Sequence, residues 1–360
     1  MNNKIKLFAV SDIHGNGTLF EEALNNSHFD INNPNHLLIV CGDIFDRGTE
    51  NRKVYDILMQ IPNKILISGN HDIALKRILK NKCLGEYDIY NGADTTIKEF
   101  FGDDCIDGKG RIKTDQKISN ELEQLIDSSV DYFETGNYVF VHGWIPTSMD
   151  VEPEWWQREW RNAPMFVWNE CRFSEWYNMY KHKLLLPNKT IVCGHRSASY
   201  GTYFDKRRNP NSNSPFYGEN IIAIDADTFY TGKVNVVVLE DTLISSRCHQ
   251  MTLNDEYFLA VKNNRKTVEL RVRDEKRKQV RIGDTIVFSK KSDPEQKVIV
   301  RVKGCYLYES FESLVDDFTA DELGFKGKPK KDIVKLANSI YDYKKTRKYG
   351  AFAIKFERVK

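Results

Sequence analysis

The sequence predicts an α/β protein with a second, smaller β-rich domain, and three observations carry that prediction. Apolar runs ending in Asp, His or Asn recur through the first two thirds of the chain, at 7–16, 37–48 and 64–72, before His142 and before His195. Amphipathic helical stretches follow the first three, an alternation that gives parallel strands with right-handed crossovers and gathers their carboxyl ends at one edge. The charge balance then reverses: residues 1–250 carry 27 Lys+Arg against 34 Asp+Glu, a net of −7, whereas residues 251–360 carry 26 against 17, a net of +9. An acidic first part and a basic last part predict two modules with different partners, divided as 1–248 and 251–360.

Bulk properties narrow the class. With 360 residues and 41% apolar composition the chain can bury large cores. Its seven Cys are odd in number and show no CxxC spacing, which reads as reduced thiols and a cytoplasmic location. The first ten residues are too short and too polar for a signal peptide, and no apolar run approaches a membrane span, so no membrane partner is expected.

Taken in order, the run at 7–10 is a strand delivering Asp12 and His14 into a Gly-rich turn. Thr18 and Glu21 then form a capping box for a helix whose apolar face is Leu19, Phe20, Ala23 and Leu24. The second unit is the strand before Asp43 with a helix at 52–60, and the third is a strand at 64–68 with a helix at 72–80. Asp72 either positions His71 or caps that helix. Residues 81–133 carry Gly and Asp clusters around an amphipathic stretch at 118–125 and read as an insertion capping the site on one side. All six Trp lie between 144 and 176. They form either an aromatic wall of a cleft or the packed anchor of a helical lid. Residues 221–240 read as a two-strand hairpin turning at Thr231, Gly232 and Lys233, with Asp225 near the site edge. From Met251 short strands dominate, with helices at 311–317 and 331–344.

The chemistry lies in five strand ends: LFAVSDIHGN at 7–16, LLIVCGDIFDRG at 37–48, KILISGNHD at 64–72, YVFVHGW at 138–144 and TIVCGHR at 190–196. They present Asp, His, Asp, Asn, His and His, donor types that hold divalent first-row metals. His28, His36, His182 and His249 lack such a setting and read as surface or packing residues. The fragments resemble the calcineurin-like metallophosphoesterases, an α+β sandwich family, and within it the phosphoprotein (serine/threonine) phosphatase branch, whose pattern is GDxHG, GDxxDRG and GNH followed by an acid. The resemblance covers about two thirds of the chain. It implies that Asp12 and His14 bind a first metal, Asp43 bridges, and Asn70, His142 and His195 bind a second. It also implies that His71 protonates the leaving alkoxide while Asp46 fixes its tautomer. The sequence departs at Ser11, where the family has Gly, and at Asp72, where protein phosphatases usually have Glu. GNHD is also similar to the diadenosine tetraphosphate hydrolases.

These residue types suit phosphoryl transfer. Two divalent cations with only Asp12 and Asp43 as charged ligands leave a net charge of about +2 to hold a phosphate dianion and acidify an attacking water, with no phosphoenzyme required. Manganese is the expected ion in vitro, with Fe, Zn, Ni or Mg also admissible. Arg47 can fork onto two phosphoryl oxygens. Arg158, Arg161 and Arg172 are candidates for a second phosphate-gripping arginine. Arg196 is left outside the site.

The last 110 residues or so resemble the ASCH domain, a small PUA-like β-barrel, through RKTVELR at 265–271, IGDTIVF and FESL. PUA-like modules commonly bind RNA, which implies a nucleic-acid or ligand cleft at Lys266, Glu269 and Arg271. ASCH amidohydrolases carry Thr where Glu269 stands, so a second enzyme activity is not expected. Two readings of the whole chain follow. One is a phosphatase acting on a phosphoprotein, a nucleotide or a nucleic-acid end and recruited by its basic module; the other is chiefly an RNA-binding protein.

Overall fold

The computed structural model describes residues 4–146, 160–164, 168, 173–186, 188–206, 208–209, 211–244 and 246–359. Contacts divide the chain into two compact units, residues 1–144 with 169–244, and residues 145–168 with 245–360.

In the first unit, β1 (Lys4–Val10), α1 (Gly17–Asn26), β2 (His36–Val40), α2 (Asn51–Gln60), β3 (Lys64–Leu66) and α3 (Asn70–Asn81) realise the expected strand and helix alternation. β1, β2 and β3 pair in parallel, and the buried runs of β1 and β2 give one side of a core that includes Phe8, Val10, Leu38 and Val40. Residues 81–133 flank the Asp46 turn on one side, through Gly92 and Thr96, but are more regular than expected. They form α4 (Glu86–Tyr90), α5 (Ala93–Phe101) and α6 (Gln116–Asp127), whose Ile97, Phe100, Leu122 and Leu125 enter that same core. Their apolar residues fall at helical spacing, which the intervening Gly and Asp clusters obscured.

A second sheet follows from β4 (Tyr132–Glu134) and β5 (Tyr138–Val141). After α7 (Phe173–Lys181) it takes β6 (Thr190–Cys193), β7 (Phe216–Gly218) and β8 (Ile221–Ala223), in the order β4-β5-β6-β8-β7. β5, β6 and β8 are parallel. The predicted hairpin at 221–240 does not form: after β8 comes the short helix α8 (Thr228–Thr231), closed by Gly232 at φ 62, and β9 (Val237–Thr242) joins the first sheet antiparallel to β1. The segment crosses between sheets because β8 is already flanked by β6 and β7, whereas β1 has a free edge and gives β9 a partner six residues long. The first sheet is therefore β3-β2-β1-β9. The Thr18–Glu21 box is also absent: Asn16 holds the N-cap position of α1 without a side-chain cap bond, and Thr18 gives its N–H and hydroxyl to Glu50 at 2.8 and 2.6 Å. Trp144 and Trp176 are buried in this unit, the latter against Phe204 and Phe216.

The second unit is a curled five-stranded half-barrel sheet of β10 (Cys248–Leu253), β11 (Val268–Val272), β12 (Thr285–Lys290), β13 (Lys297–Tyr308) and β14 (Ala351–Arg358), ordered β10-β12-β13-β14-β11. Alternation along β14 sends Phe352, Ile354 and Phe356 into one core and Ala351 and Ala353 into the other. The first core takes Phe258 and Val261 from α9 (Asp255–Lys262), and the second takes Phe311 and Leu314 from α10 (Phe311–Asp317). The helix expected at 331–344 is two, α11 (Lys330–Ile340) and α12 (Tyr343–Tyr349), because Asp342 takes a cap position and accepts the Lys344 N–H. Trp160 and Trp168 are buried with their rings 6.2 Å apart. Trp155, Trp156, Arg158 and Arg172 lie outside the described residues. No helix among the described residues is long and apolar enough to cross a membrane.

Candidate metal centre

The strand ends deliver the predicted residues to one place. Asp12 and His14 follow β1, Asp43 follows β2, and Asn70 and His71 open α3 after β3, all from the first sheet. His142 follows β5 and His195 follows β6, from the second. All but His195 and Asn70 are buried, and the two exceptions are half-buried.

The turns that carry them are strained. Asp12, His14, Asp43, Asp46, Arg47 and His195 all sit at φ between 47 and 74°, a left-handed region that costs a branched or bulky side chain about 1–3 kcal/mol unless its surroundings enforce it. The enforcement is visible. Asp72 Oδ2 accepts from the N–H groups of Gly69 at 2.8 Å and Asp43 at 2.9 Å, and its Oδ1 from Ile44 N at 3.1 Å. One carboxylate thus caps α3 and also ties the Asp43 turn to the turn bearing Asn70 and His71. Gly69 and Gly194 allow close approach: a Cβ on either would lie 2.2 Å from a carboxylate oxygen, of Asp43 and Asp12 respectively.

The donor atoms converge in a way that calls for a cation. His142 Nδ1 donates to the Cys41 carbonyl at 2.8 Å, leaving Nε2 as a lone pair in the neutral ring. That lone pair faces Asn70 Oδ1 at 3.0 Å, His195 Nδ1 at 3.1 Å and Asp43 Oδ1 at 3.4 Å. His14 repeats the arrangement, with Nδ1 on the Phe45 carbonyl at 3.2 Å and Nε2 facing Asp12 Oδ1 at 3.9 Å and Asp43 Oδ2 at 3.8 Å. Burial, with the positive charge of Arg47 nearby, holds the His14 pKa well below its usual value, so the ring stays neutral. Burial also raises Asp12 to about 6 and lifts Asp43, a desolvation cost that a divalent ion would relieve. Two donor groups therefore share Asp43, and the residues fit two hard or borderline cations.

His71 also converges with His14 and Asp43 as a possible donor, but its ring nitrogens have other partners. Its Nδ1 donates to Asp46 Oδ2 at 2.9 Å, and its Nε2 lies 3.3 Å from Arg47 Nη2. Burial alone would lower its pKa, but the hydrogen bond to Asp46 and the charges of Asp43 and Asp46 outweigh it, and the net shift is upward. Two residues that no motif marked complete this corner. Thr96 Oγ1 donates to Asp46 Oδ1 at 2.6 Å, and Asn51 Oδ1 accepts the Asp46 N–H at 2.9 Å. Ser11, where the family pattern has Gly, places its one hydroxyl proton between two acceptors, Asp12 Oδ2 and the Cys41 carbonyl, the latter at 2.9 Å. Asp225 accepts the Asp227 N–H at 2.6 Å and shapes the turn after β8. Arg161 stacks over Trp160 at 4.3 Å, within the second unit.

In the second unit Lys266, Glu269 and Arg271 pair with one another beside a cavity. Lys266 is only 3% exposed, and its Nζ donates to the Val268 and Leu323 carbonyls at 2.8 and 2.7 Å and pairs with Glu269 at 3.2 Å. Arg271 Nη1 pairs with Glu269 Oε1 at 2.5 Å and reaches Tyr341 Oη at 3.0 Å, while Nη2 donates to the Thr252 carbonyl at 3.2 Å. The three residues line a cavity of about 170 Å³ with Tyr257, Phe325 and Tyr341. They meet as predicted, but as an internally paired cluster: the ammonium has no donor left for phosphate. Alternating charges near a strand gave no sign that one of them points inward.

The fold and the site define a metal-dependent hydrolase. Residues 5–238 match the calcineurin-like phosphoesterase family, and the chain belongs to that family; residues 251–360 match the ASCH domain. The family uses a dinuclear metal centre. A comparison with curated proteins finds no match. Among solved structures, the chain is similar to a Pyrococcus furiosus protein determined by solution NMR, with 29% identity over 31% of this chain and 98% of that one and a TM-score of 0.27. It is also similar to a protein serine/threonine phosphatase of Saccharomyces cerevisiae, at 12% identity over 67% and 81% of the two chains and a TM-score of 0.35. A cold-active protein-tyrosine phosphatase of a psychrophilic Shewanella species matches at 15% identity over 67% and 80%, with a TM-score of 0.37.

Proposed function

We propose that the first unit is a phosphomonoesterase of the serine/threonine phosphatase type, acting on alkyl phosphate esters with manganese as its working ion. The observation that supports this is the pairing of a cation-shaped donor cluster with a separate, Asp46-bound imidazole beside Arg47. Asp12 and His14 would hold one ion and Asn70, His142 and His195 the other, with Asp43 available to both. When bound, the ions supply charge neutralisation and an acidified attacking water. Arg47 orients the phosphoryl oxygens through its guanidinium fork. His71, kept in one tautomer by Asp46, gives its Nε2 proton to the departing oxygen. An alkoxide needs that proton far more than an aryl oxide does, so the acid equips the site for phosphoserine-like esters as well as aryl ones.

The test is metal-activated hydrolysis of a panel of phosphopeptides, diadenosine polyphosphates, cyclic nucleotides and phosphorylated RNA ends. Phosphopeptide turnover that Asp43→Asn abolishes supports the reading. Hydrolysis confined to diadenosine polyphosphates or RNA ends would move the substrate to nucleotides or nucleic-acid ends.

The +9 balance of residues 251–360 supports RNA binding by the second unit. With Lys266 and Arg271 internally paired, the phosphate contacts fall to exposed chains such as Lys276, Lys278 and Arg281. RNA affinity that falls steeply with added salt and weakens when these three are changed to Gln is the expected result.

A further inference from the structure

We propose that Thr96, on α5, is a positioning residue that holds the Asp46 carboxylate against His71, so that residues 93–101 complete the proton-donating machinery. The inference rests on the reading of His71 as general acid. The Asp46 carboxylate has two oxygens, and each has one specific side-chain partner. Oδ2 receives His71 Nδ1 at 2.9 Å and Oδ1 receives the Thr96 hydroxyl at 2.6 Å. A carboxylate held at both oxygens cannot rotate about its terminal bond, and the imidazole it orients is fixed with it. The Asp46 backbone is held from the same side, because its N–H meets Asn51 Oδ1 at 2.9 Å and Thr96 Oγ1 at 3.0 Å, in a residue whose φ of 74° requires outside support.

All members of this chain are shut off from water: Thr96 and Asn51 are fully buried, Asp46 is 1% exposed and His71 5%. A hydrogen bond to a buried carboxylate has no solvent replacement when its donor is deleted. The order is Thr96, Asp46, His71, the logic by which a carboxylate fixes a catalytic imidazole with one further link. The same helix is locked to the turn elsewhere: the Arg47 N–H donates to Gly92 O at 3.0 Å, and Asn51 Nδ2 donates to Glu99 Oε1 at 2.7 Å. Displacement of α5 would therefore move Asp46, Arg47 and Asn51 together.

The experiment compares wild type with Thr96→Val, Thr96→Ser and His71→Asn, each as full-length protein loaded with manganese. Rates are measured on an alkyl phosphate and on nitrophenyl phosphate. Thr96→Val keeps the side-chain shape and removes only the hydroxyl. It is expected to lower kcat on the alkyl ester by about 10- to 100-fold, the rate equivalent of one charge-assisted hydrogen bond. The loss on nitrophenyl phosphate should be smaller, with KM and metal content unchanged, and Thr96→Ser should restore most of the rate. In the metal-free protein, the hydrogen-bonded Nδ1 proton of His71 should give a downfield NMR resonance that Thr96→Val broadens away. If His71→Asn discriminates between the two esters and Thr96→Val does not, the positioning role is overturned. If His71→Asn itself affects both esters equally, the acid assignment fails first, and the NMR resonance then decides whether Thr96 still orients the ring.

Discussion

Removing the Asp72 carboxylate should dismantle the metal centre from behind. Asp72 touches no proposed ligand side chain, yet it accepts three buried N–H groups, from Gly69, Asp43 and Ile44. In Asp72→Ala these donors lose their acceptor in a region with little access to water, at about 1–3 kcal/mol each. Relaxation recovers part of that sum, which leaves a cost on the order of 3–6 kcal/mol. Part of it appears as lost global stability. The rest appears as slack between the Asp43 turn and the start of α3, where left-handed Asp43 depends on outside support. Slack of this kind falls on metal affinity, because Asp43 and Asn70 must be placed together. The assay is manganese titration of the apo protein by calorimetry, with urea denaturation of the same variant. The expected result is at least a tenfold loss in affinity together with an earlier unfolding midpoint. Two ions bound with unchanged affinity and an unchanged midpoint would refute the argument that Asp72 ties the two turns.

Two further outcomes follow from the electrostatics. Burial raises Asp12 and Asp72 to about 6 from an ordinary 3.8, so each contributes stability fully present below the unfolded pKa and lost as pH rises through about 6. Apo protein should therefore lose melting temperature between about pH 4 and pH 7, and manganese should restore it increasingly across that window; a manganese-induced shift that does not vary with pH would contradict this. Lys266→Met should destabilise the second unit by about 3–5 kcal/mol, because it leaves Glu269 buried with Arg271 alone and strips two carbonyls of their donor. Chemical denaturation monitored by the Trp fluorescence of the unit checks it, and an unchanged midpoint would show that the cluster is not a structural one.

What the sequence revealed and what it concealed have separate physical causes. Strand ends are local, so the runs before Asp12, Asp43, Asn70, His142 and His195 could be read directly, and parallel pairing gathers the ends within each sheet. The division of those strands between two sheets could not be read, because β9 leaves the neighbourhood of β8 to pair with β1, and nothing local to 221–240 marks the switch. Thr96 escaped notice for a related reason: a threonine within a helical stretch carries no motif, and only the packing of α5 brings it to Asp46, fifty residues away. Lys266 is the converse case. The resemblance placed it in a nucleic-acid or ligand cleft, and its burial is set by the carbonyls of Val268 and Leu323, the second of which lies 57 residues further on.

The most direct test of the dinuclear centre is anomalous diffraction from crystals grown with manganese. Two peaks are predicted, one among Asp12, His14 and Asp43 and one among Asp43, Asn70, His142 and His195, with His71 Nε2 outside both coordination spheres. A single peak, or one coordinated by His71, would contradict the assignment of Asp43 as the shared ligand and of His71 as the acid.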